Sequence, residues 1–170
     1  RAYFSERLAE TIALAQRTNQ TCALMFVDLD RFKIVNDSLG HEAGDSLLKV
    51  VSERIHGCLR QSDLLFRMGG DEFTVILSQI TAPEDAAFVA RRVQEAVAAP
   101  VSVHEHELAV GATIGIAVYP GDGDSAEALL KNADAAMYSA KEGGRGRHAF
   151  YRTAMNQRAS QRLSLEVALR

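Results

Sequence analysis

Two pairs of acidic residues stand directly against apolar runs of the sequence. In the stretch FRMGGDEFTVIL, Asp71 and Glu72 follow two glycines that separate two apolar runs. In the stretch FVDLD, Asp28 and Asp30 end another apolar run. A carboxylate beside a core needs a partner or a metal, and Mg²⁺ takes one or two carboxylates together with water and substrate phosphate. The sequence therefore predicts a cation site suited to phosphoryl transfer, although solvated turn residues are the commoner meaning of one acidic pair.

Hydrophobic periodicity and turn residues predict the elements that position these acids. A Gly-Gly pair between apolar runs is typical of a β-hairpin with a primed turn, here with strands 64–68 and 72–78. Residues 22–29 predict a buried strand, and since side chains alternate along a strand, Asp28 and Asp30 share a face. The other predicted elements are helices 3–17, 31–40 (with Asp30 as N-cap and Gly40 as its end), 42–60, 84–98, 125–142 and 153–170, and strands 107–119 and 148–151. This mixture predicts an α/β (α+β) sandwich with a mixed or antiparallel sheet.

Composition narrows the class of protein. The chain has 170 residues, of which 47% are hydrophobic and 24% charged, with a net charge of -3, as expected for one compact domain. A weakly acidic chain argues against nucleic-acid binding, which depends on lysine and arginine contacts to phosphate. No apolar run approaches the roughly 20 residues of a membrane span, so we expect a cytoplasmic domain without membrane contact. Cys22 and Cys58 lie within apolar patterns and are predicted to be buried free thiols.

Basic residues and a helix start supply candidate phosphate ligands. A helix that begins after Asp30 presents the N–H groups of Phe32 and Lys33, which suit phosphate oxygens. The stretch AKEGGRGR places Lys141 and Arg145 around a glycine pair. Two interpretations of this stretch stay open: a phosphate clamp, or a solvated helix end with basic residues near its negative pole.

Four longer stretches carry a resemblance to a known family. They are FVDLDRFKIVNDSLGHEAGD (26–45), LRQSDLLFRMGGDEF (59–73), ATIGIAVYP (112–120) and NADAAMYSAKEGGRGRHAFY (132–151). In this order the chain strongly resembles the GGDEF family, the diguanylate cyclases. The resemblance implies a central, mostly antiparallel five-stranded sheet flanked by helices, similar to the nucleotidyl cyclase and polymerase palm. It also implies a reaction that joins two GTP molecules into cyclic di-GMP and releases pyrophosphate.

The resemblance also implies roles for individual residues. Asp28, the Leu29 carbonyl, Asp71 and Glu72 match the positions that bind Mg²⁺ or Mn²⁺, and Asp71 and Glu72 are the implied catalytic acids. The residues that match GTP-binding positions are Phe32, Lys33, Asn36, Asp45, Gly69, Gly70, Lys141 and Arg145. Asn36 and Asp45 would read the guanine edge, which suits the donors of an amide and the acceptors of a carboxylate. Each domain would hold one GTP, so a homodimer is implied for turnover.

The segment Arg60-Gln61-Ser62-Asp63 matches the family's RxxD inhibitory site for the cyclic di-GMP product. Arginine grips phosphate or a guanine edge in a bidentate manner, and aspartate accepts guanine N–H groups. Arg91, or its neighbour Arg92, would complete this site across a dimer. A local salt bridge at a helix end is the alternative meaning of an isolated R-x-x-D pattern.

The resemblance further predicts a fragment of a longer protein. Residues 1–152 are assigned to the GGDEF domain, and residues 153–170 to a linker helix leading toward an EAL phosphodiesterase domain. Sensor and EAL domains are the expected attached partners. Gly146 replaces the asparagine of the usual G-R-N pattern, and we expect this change to matter little. The alternative function is a regulatory module that binds GTP or cyclic di-GMP without turnover and controls an attached phosphodiesterase.

Overall fold

A five-stranded sheet forms the centre of the structure, a computed structural model that describes residues 2–156. The strands are β1 (Thr21–Asp30), β2 (Leu64–Gly69), β3 (Glu72–Ile80), β4 (Val101–Val103), β5 (His106–Leu108), β6 (Gly111–Tyr119) and β7 (His148–Phe150). The order in the sheet is β2-β3-β1-β6-β7, and only the β6–β7 pair is parallel. The predicted fold class, a mostly antiparallel five-stranded sheet with helices, is therefore confirmed.

Helices cover both faces of this sheet. They are α1 (Ala2–Thr18), α2 (Phe32–Leu39), α3 (His41–Gly57), α4 (Pro83–Ala98) and α5 (Ala126–Glu142). Met25 and Val27 of β1 enter a core shared with α3 and α4, whereas Leu24 and Phe26 enter a second core shared with α1 and α5. Because side chains alternate along a strand, Asp28 follows Leu24 and Phe26 onto the α5 face.

One predicted strand is wrong as a single element. The alternating residues 107–119 form two strands, because β5 turns back to pair with β4 in a separate small hairpin. His104 and Glu105 adopt positive φ values of 49° and 67° and make the turn of this hairpin. The alternation continues across Ala109 and Val110, so periodicity alone does not reveal the break.

The predicted N-cap of the second helix is also wrong. Helix α2 begins at Phe32, and its N-cap residue is Arg31, with φ 65° and no side-chain capping hydrogen bond. The Asp30 carboxylate instead accepts hydrogen bonds from the Thr113 hydroxyl and the Gly146 N–H. The predicted end of this helix at Gly40 is confirmed, since Gly40 has φ 92° and its N–H donates to the Asn36 carbonyl.

Gly115 of β6 allows helix α5 to lie directly on the sheet. A Cβ at this position would come within 2.1 Å of the Ala133 oxygen and of the Met137 nitrogen. This contact fixes the end of α5 that carries Lys141 relative to β1. A helical turn at 153–156 follows β7, and the rest of the predicted linker helix lies outside the described residues.

Candidate active site at the hairpin tip

The strand register places two acidic residues opposite each other at the mouth of the hairpin. Asp28 near the end of β1 pairs with Glu72 at the start of β3. The Leu29 N–H donates to the Asp71 carbonyl over 3.2 Å, which ties the hairpin turn to the end of β1. Asp28 is 5% exposed, so its carboxylate lies within the fold, not on its surface.

Burial and mutual repulsion act on both acids. Desolvation raises the pKa of Asp28, the negative charges of Asp71 and Asp30 raise it further, and Lys141 opposes the shift. Desolvation also raises the pKa of Glu72, with added contributions from Asp28, Asp134 and Asp71. Burial is the main cause of both shifts and the neighbouring carboxylates add to it, so a positive charge bound here would favour the ionised form of both acids.

Lys141 supplies part of the missing positive charge. Its ammonium group contacts the Asp28 carboxylate directly, and its side chain is 24% exposed. The sequence predicted Lys141 as a phosphate ligand, whereas the structure places it on an acid of the same site. Helix α5 ends at Glu142, so this lysine reaches Asp28 from the last turn of the helix.

The oxygen donors of this centre fit a hard divalent cation. In the arrangement of residues 2–156, no three His, Cys, Asp or Glu side chains converge closely enough to hold a metal ion. The centre nevertheless combines the buried Asp28 carboxylate with Glu72 opposite it, and the negative charge of nearby Asp71 raises the pKa of both. Mg²⁺ needs only one or two carboxylates and fills its remaining positions with water and phosphate.

The two glycines keep the space above the turn open. Gly69 and Gly70 have φ values of 145° and 52°, and a Cβ on either would meet no atom within 4 Å. Positive φ is readily available to glycine and rare for other residues. The turn thus leaves its backbone accessible beside Asp71 and Glu72.

A second group of predicted ligands lies between α2 and α3. Asn36 packs over Gly44, where an added Cβ would come within 1.8 Å of the Asn36 Oδ1 atom. That oxygen is buried and has no hydrogen-bond partner in the structure. Asp45 follows on α3 and lines a cavity of about 370 Å³, together with Leu48, Lys49, Ser52, Arg67 and Phe73. A buried polar atom without a partner in the protein is available to a ligand or to water.

The start of α2 and the loop after α5 supply N–H groups and positive charge. The Ile34 and Val35 N–H groups both donate to the Arg31 carbonyl, so Phe32 and Lys33 precede the intrahelical bonds. Phe32 is buried and Lys33 exposed. Arg145 is 59% exposed, and its Nη1 atom lies 3.8 Å from an Asp30 oxygen.

Arg60 and Asp63 bind each other. Arg60 donates from Nε and Nη2 to the two Asp63 oxygens over 3.2 and 3.1 Å, and its backbone N–H donates over 2.9 Å. The Asp63 side chain is 1% exposed, whereas that of Arg60 is 56% exposed. The local salt bridge that the sequence left as an alternative is therefore present. Both residues also line a cavity of about 340 Å³.

Arg92, and not Arg91, lines this cavity within the chain. Cys58, Phe88 and Arg92 belong to its wall, and the Arg92 guanidinium lies 5.8 Å from the centre of the Phe88 ring. Arg91 lies near His148 of β7. Burial lowers the pKa of His148, and the positive charge of Arg91 lowers it further. Any role of Arg91 in this site would have to be across a dimer, as the resemblance implied.

Sequence reasoning missed several residues around the acidic centre. Asp134 of α5 acts on Glu72 through its charge, and Thr113 of β6 donates to Asp30. Both residues are far in sequence from the acids that they contact or act on. They reach the site only because β6 and α5 pack against β1. The alternation of 107–119 could have placed Thr113 on one face, but not against Asp30.

Comparison with known proteins gives the family. The family model described as "Diguanylate cyclase, GGDEF domain" matches residues 1–147. The chain belongs to the GGDEF domain family. A solved structure of TpbB from Pseudomonas aeruginosa that comprises only the GGDEF domain superposes with a TM-score of 0.92 at 39% identity, covering 94% of each chain. The GGDEF fold is thereby shown, and with it the palm-like cyclase architecture.

Curated relatives of this GGDEF domain are larger proteins. The chain is 44% identical over its whole length to a bifunctional diguanylate cyclase/cyclic di-GMP phosphodiesterase, MucR, of Pseudomonas aeruginosa, and covers 25% of that protein. It is also 39% identical over its whole length to the cyclic di-GMP phosphodiesterase NbdA of the same organism, covering 22%. The chain thus spans about a quarter of these relatives. Within residues 2–156, no helix is long and apolar enough to cross a membrane.

Proposed function

We propose that this GGDEF domain is a diguanylate cyclase, which condenses two GTP molecules into cyclic di-GMP and releases two pyrophosphates. In this reaction each 3′-hydroxyl attacks the α-phosphorus of the other nucleotide, and each P–O bond to pyrophosphate breaks. The observation that carries the proposal is the buried Asp28 carboxylate opposite Glu72 at the mouth of an open glycine turn. A relative that is 43% identical over 86% of the chain is the diguanylate cyclase TpbB.

The acidic centre is the proposed Mg²⁺ or Mn²⁺ site. Asp28, Asp71 and Glu72 would hold the ion with the Leu29 carbonyl, and a bound cation would neutralise charge that develops during phosphoryl transfer. Before the cation binds, Lys141 balances part of the charge on Asp28. We propose that Lys141 then turns toward the triphosphate, next to Arg145.

The other predicted residues would bind the nucleotide. Asn36 would offer its amide N–H donors to the guanine edge, and Asp45 would offer carboxylate acceptors from the cavity that it lines. The N–H groups of Phe32 and Lys33, at the start of α2, would donate to phosphate oxygens. Gly69 and Gly70 leave room for the sugar and α-phosphate above the turn.

The substitution Glu72→Gln tests the acidic centre. It removes one negative charge with almost no change in volume, so we expect the fold to persist and cyclic di-GMP formation to fall at least about a hundredfold. The purified protein would be incubated with GTP and Mg²⁺, with product followed by chromatography and folding by thermal melting. Glu53→Gln, on the exposed face of α3, is the matched control. Full activity of Glu72→Gln would rule out the proposed cation site.

A regulatory module is the second candidate function. It is favoured by the likeness to NbdA, a cyclic di-GMP phosphodiesterase that matches the whole chain. In that case the domain would bind GTP or cyclic di-GMP and form no product. GTP binding without Glu72-dependent product would favour this candidate over the cyclase.

The cavity beside Arg60 and Asp63 is the proposed site of product inhibition. A GGDEF domain of DgcB from Caulobacter crescentus, with a TM-score of 0.81 at 28% identity and coverage of 88% and 89% of the two chains, was solved in complex with c-di-GMP. Arg60 and Arg92 supply positive charge to this cavity, and Phe88 supplies an aromatic face. Guanine bases and phosphates suit such a lining.

A further inference from the structure

We propose that Asp30 and Thr113 are positioning residues that hold the loop after α5 in the shape that binds the GTP triphosphate. The inference rests on the proposed function, since it concerns the same nucleotide. Neither residue is assigned a ligand role here. Their effect on GTP would pass through the loop that carries Arg145 and follows Lys141.

A buried hydrogen-bond network joins these residues to the loop. Thr113 donates from Oγ1 to the Asp30 carboxylate, with its two oxygens at 2.8 and 3.0 Å. The Gly146 N–H donates to both Asp30 Oδ2 and Thr113 Oγ1, each over 3.0 Å. Asp30 is 5% exposed and Thr113 is fully buried, so water competes little for these bonds.

The loop conformation needs such support. Gly144, Arg145 and Gly146 have φ values of 119°, 36° and 66°, and positive φ is unusual for a residue with a side chain such as Arg145. Conformations of this kind persist where the surroundings determine them. The Arg145 N–H donates to the Lys141 carbonyl over 3.4 Å, and the Arg147 carbonyl accepts from Ile114 over 2.9 Å. Asp30 and Thr113 fix the middle of the loop between these two attachments.

The network also explains the residue at position 146. The bond to Asp30 and Thr113 uses only the backbone N–H of Gly146, and its φ of 66° lies in the left-handed region. Asparagine and glycine both tolerate that region better than other residues. The change from the usual asparagine therefore preserves the contact that matters for loop position.

Charge connects the network to the site. Arg145 Nη1 lies 3.8 Å from Asp30 Oδ1, and 59% of the arginine side chain remains exposed. Asp30 thus restrains the guanidinium while leaving most of it accessible to a ligand. Lys141, at the other end of the loop, contacts Asp28, two residues from Asp30 in β1.

Thr113→Val and Thr113→Ser provide a matched test. Valine keeps the buried shape and removes the hydroxyl, whereas serine keeps the hydroxyl. Affinities for GTP and for GMP would be measured by calorimetry with Ca²⁺ as the cation. We expect Thr113→Val to weaken GTP binding by about tenfold, the loss of one buried hydrogen bond, while GMP binding changes less than about twofold. Thr113→Ser should restore GTP affinity.

The comparison of GTP with GMP distinguishes a loop that positions the triphosphate ligands from a general loss of stability. Equal loss of GTP and GMP affinity, or unchanged GTP affinity, would overturn the inference. Asp30→Asn serves as an independent variant of the same shape if Thr113→Val fails to fold, with the same GTP-selective loss expected. A wild-type chain that binds no GTP would overturn the proposed function, and the inference with it. Wild-type binding with a GTP affinity unchanged in both variants would overturn the inference alone.

Discussion

Buried acids in this GGDEF domain differ in how their charge is satisfied. Asp30 and Asp63 each accept several hydrogen bonds from within the chain, from Thr113 and Gly146 or from Arg60. Asp28 and Glu72, in contrast, repel one another, and burial and repulsion raise the pKa of both. Hydrogen bonds within the fold satisfy Asp30 and Asp63, whereas the raised pKa values of Asp28 and Glu72 fit the cation site proposed for them.

Arg60→Ala is expected to act on both regulation and stability. It removes a proposed ligand of the product, so inhibition by cyclic di-GMP should be relieved. It also leaves the Asp63 carboxylate, 1% exposed, without its bidentate partner, so the free energy of unfolding should fall by about 1 to 2 kcal/mol. Initial rates with added product, and chemical denaturation, would measure the two effects. Arg17→Ala, on the last turn of α1, is the control.

Two further variants identify the second arginine of that site. Relief of inhibition by Arg92→Ala would place the contact within one chain, as the cavity lining favours. Relief by Arg91→Ala would instead require a contribution across a dimer. Inhibition that stays unchanged in Arg60→Ala would contradict the assignment of this cavity to the product.

At the residue scale, the sequence predicted where the acids lie along their strands but not which residues they contact. Asp28 and Glu72 were placed at one end of a strand and at a hairpin tip, and the register now brings them together. Asp30 was misread as a helix cap, because its real partners, Thr113 and Gly146, are 83 and 116 residues away. Local patterns carry no information on contacts of that sequence separation.

Among the secondary-structure elements, the contact of β6 with α5 determines where Lys141 lies. Gly115 lets the helix backbone approach the strand so closely that any side chain would collide with Ala133 and Met137. These collisions involve backbone atoms, which cannot move aside as a flexible side chain can. The position of the last turn of α5 thus depends on one glycine in the middle of a strand.

Gly115→Ala is expected to displace α5. The overpacked contact should lower the free energy of unfolding by at least about 2 kcal/mol, and cyclase activity should fall because Lys141 moves with the helix. Denaturant unfolding and product assays would measure both effects. Gly121→Ala, where an added Cβ meets no atom within 4 Å, is the control and should change neither. Unaltered stability of Gly115→Ala would contradict the close packing.

At the same scale, regular elements were predicted well and irregular ones poorly. The five helices of the described residues and the hairpin appear near their predicted limits, because their periodicity and end residues are local properties. Strand 107–119 failed because a turn at His104 and Glu105 turns its first residues back onto β4. The pairing of β4 with β5 depends on positive φ at His104 and Glu105. The polar character of these two residues does not predict that conformation.

For the whole molecule, the proposed reaction needs two chains. One chain carries one acidic centre and one candidate guanine site, whereas cyclic di-GMP contains two guanosines. The rate per chain should therefore rise with protein concentration until dimers saturate. Product formation measured over a hundredfold dilution range would show this, with size-exclusion chromatography at the same concentrations. A rate strictly proportional to protein concentration would contradict a dimer of half-sites.

The contact between Lys141 and Asp28 links the binding of two unlike ligands. A single ammonium group cannot neutralise the acid and a triphosphate at once, so under the proposed function a cation on Asp28 would free Lys141, which now contacts that acid, for phosphate. Cation and nucleotide should then be cooperative, and linkage requires each to strengthen the other by the same factor. Mg²⁺ affinity measured with and without a nonhydrolysable GTP analogue should show this coupling, and Lys141→Met should reduce it. Equal coupling in the two proteins would show that the lysine takes no part in it.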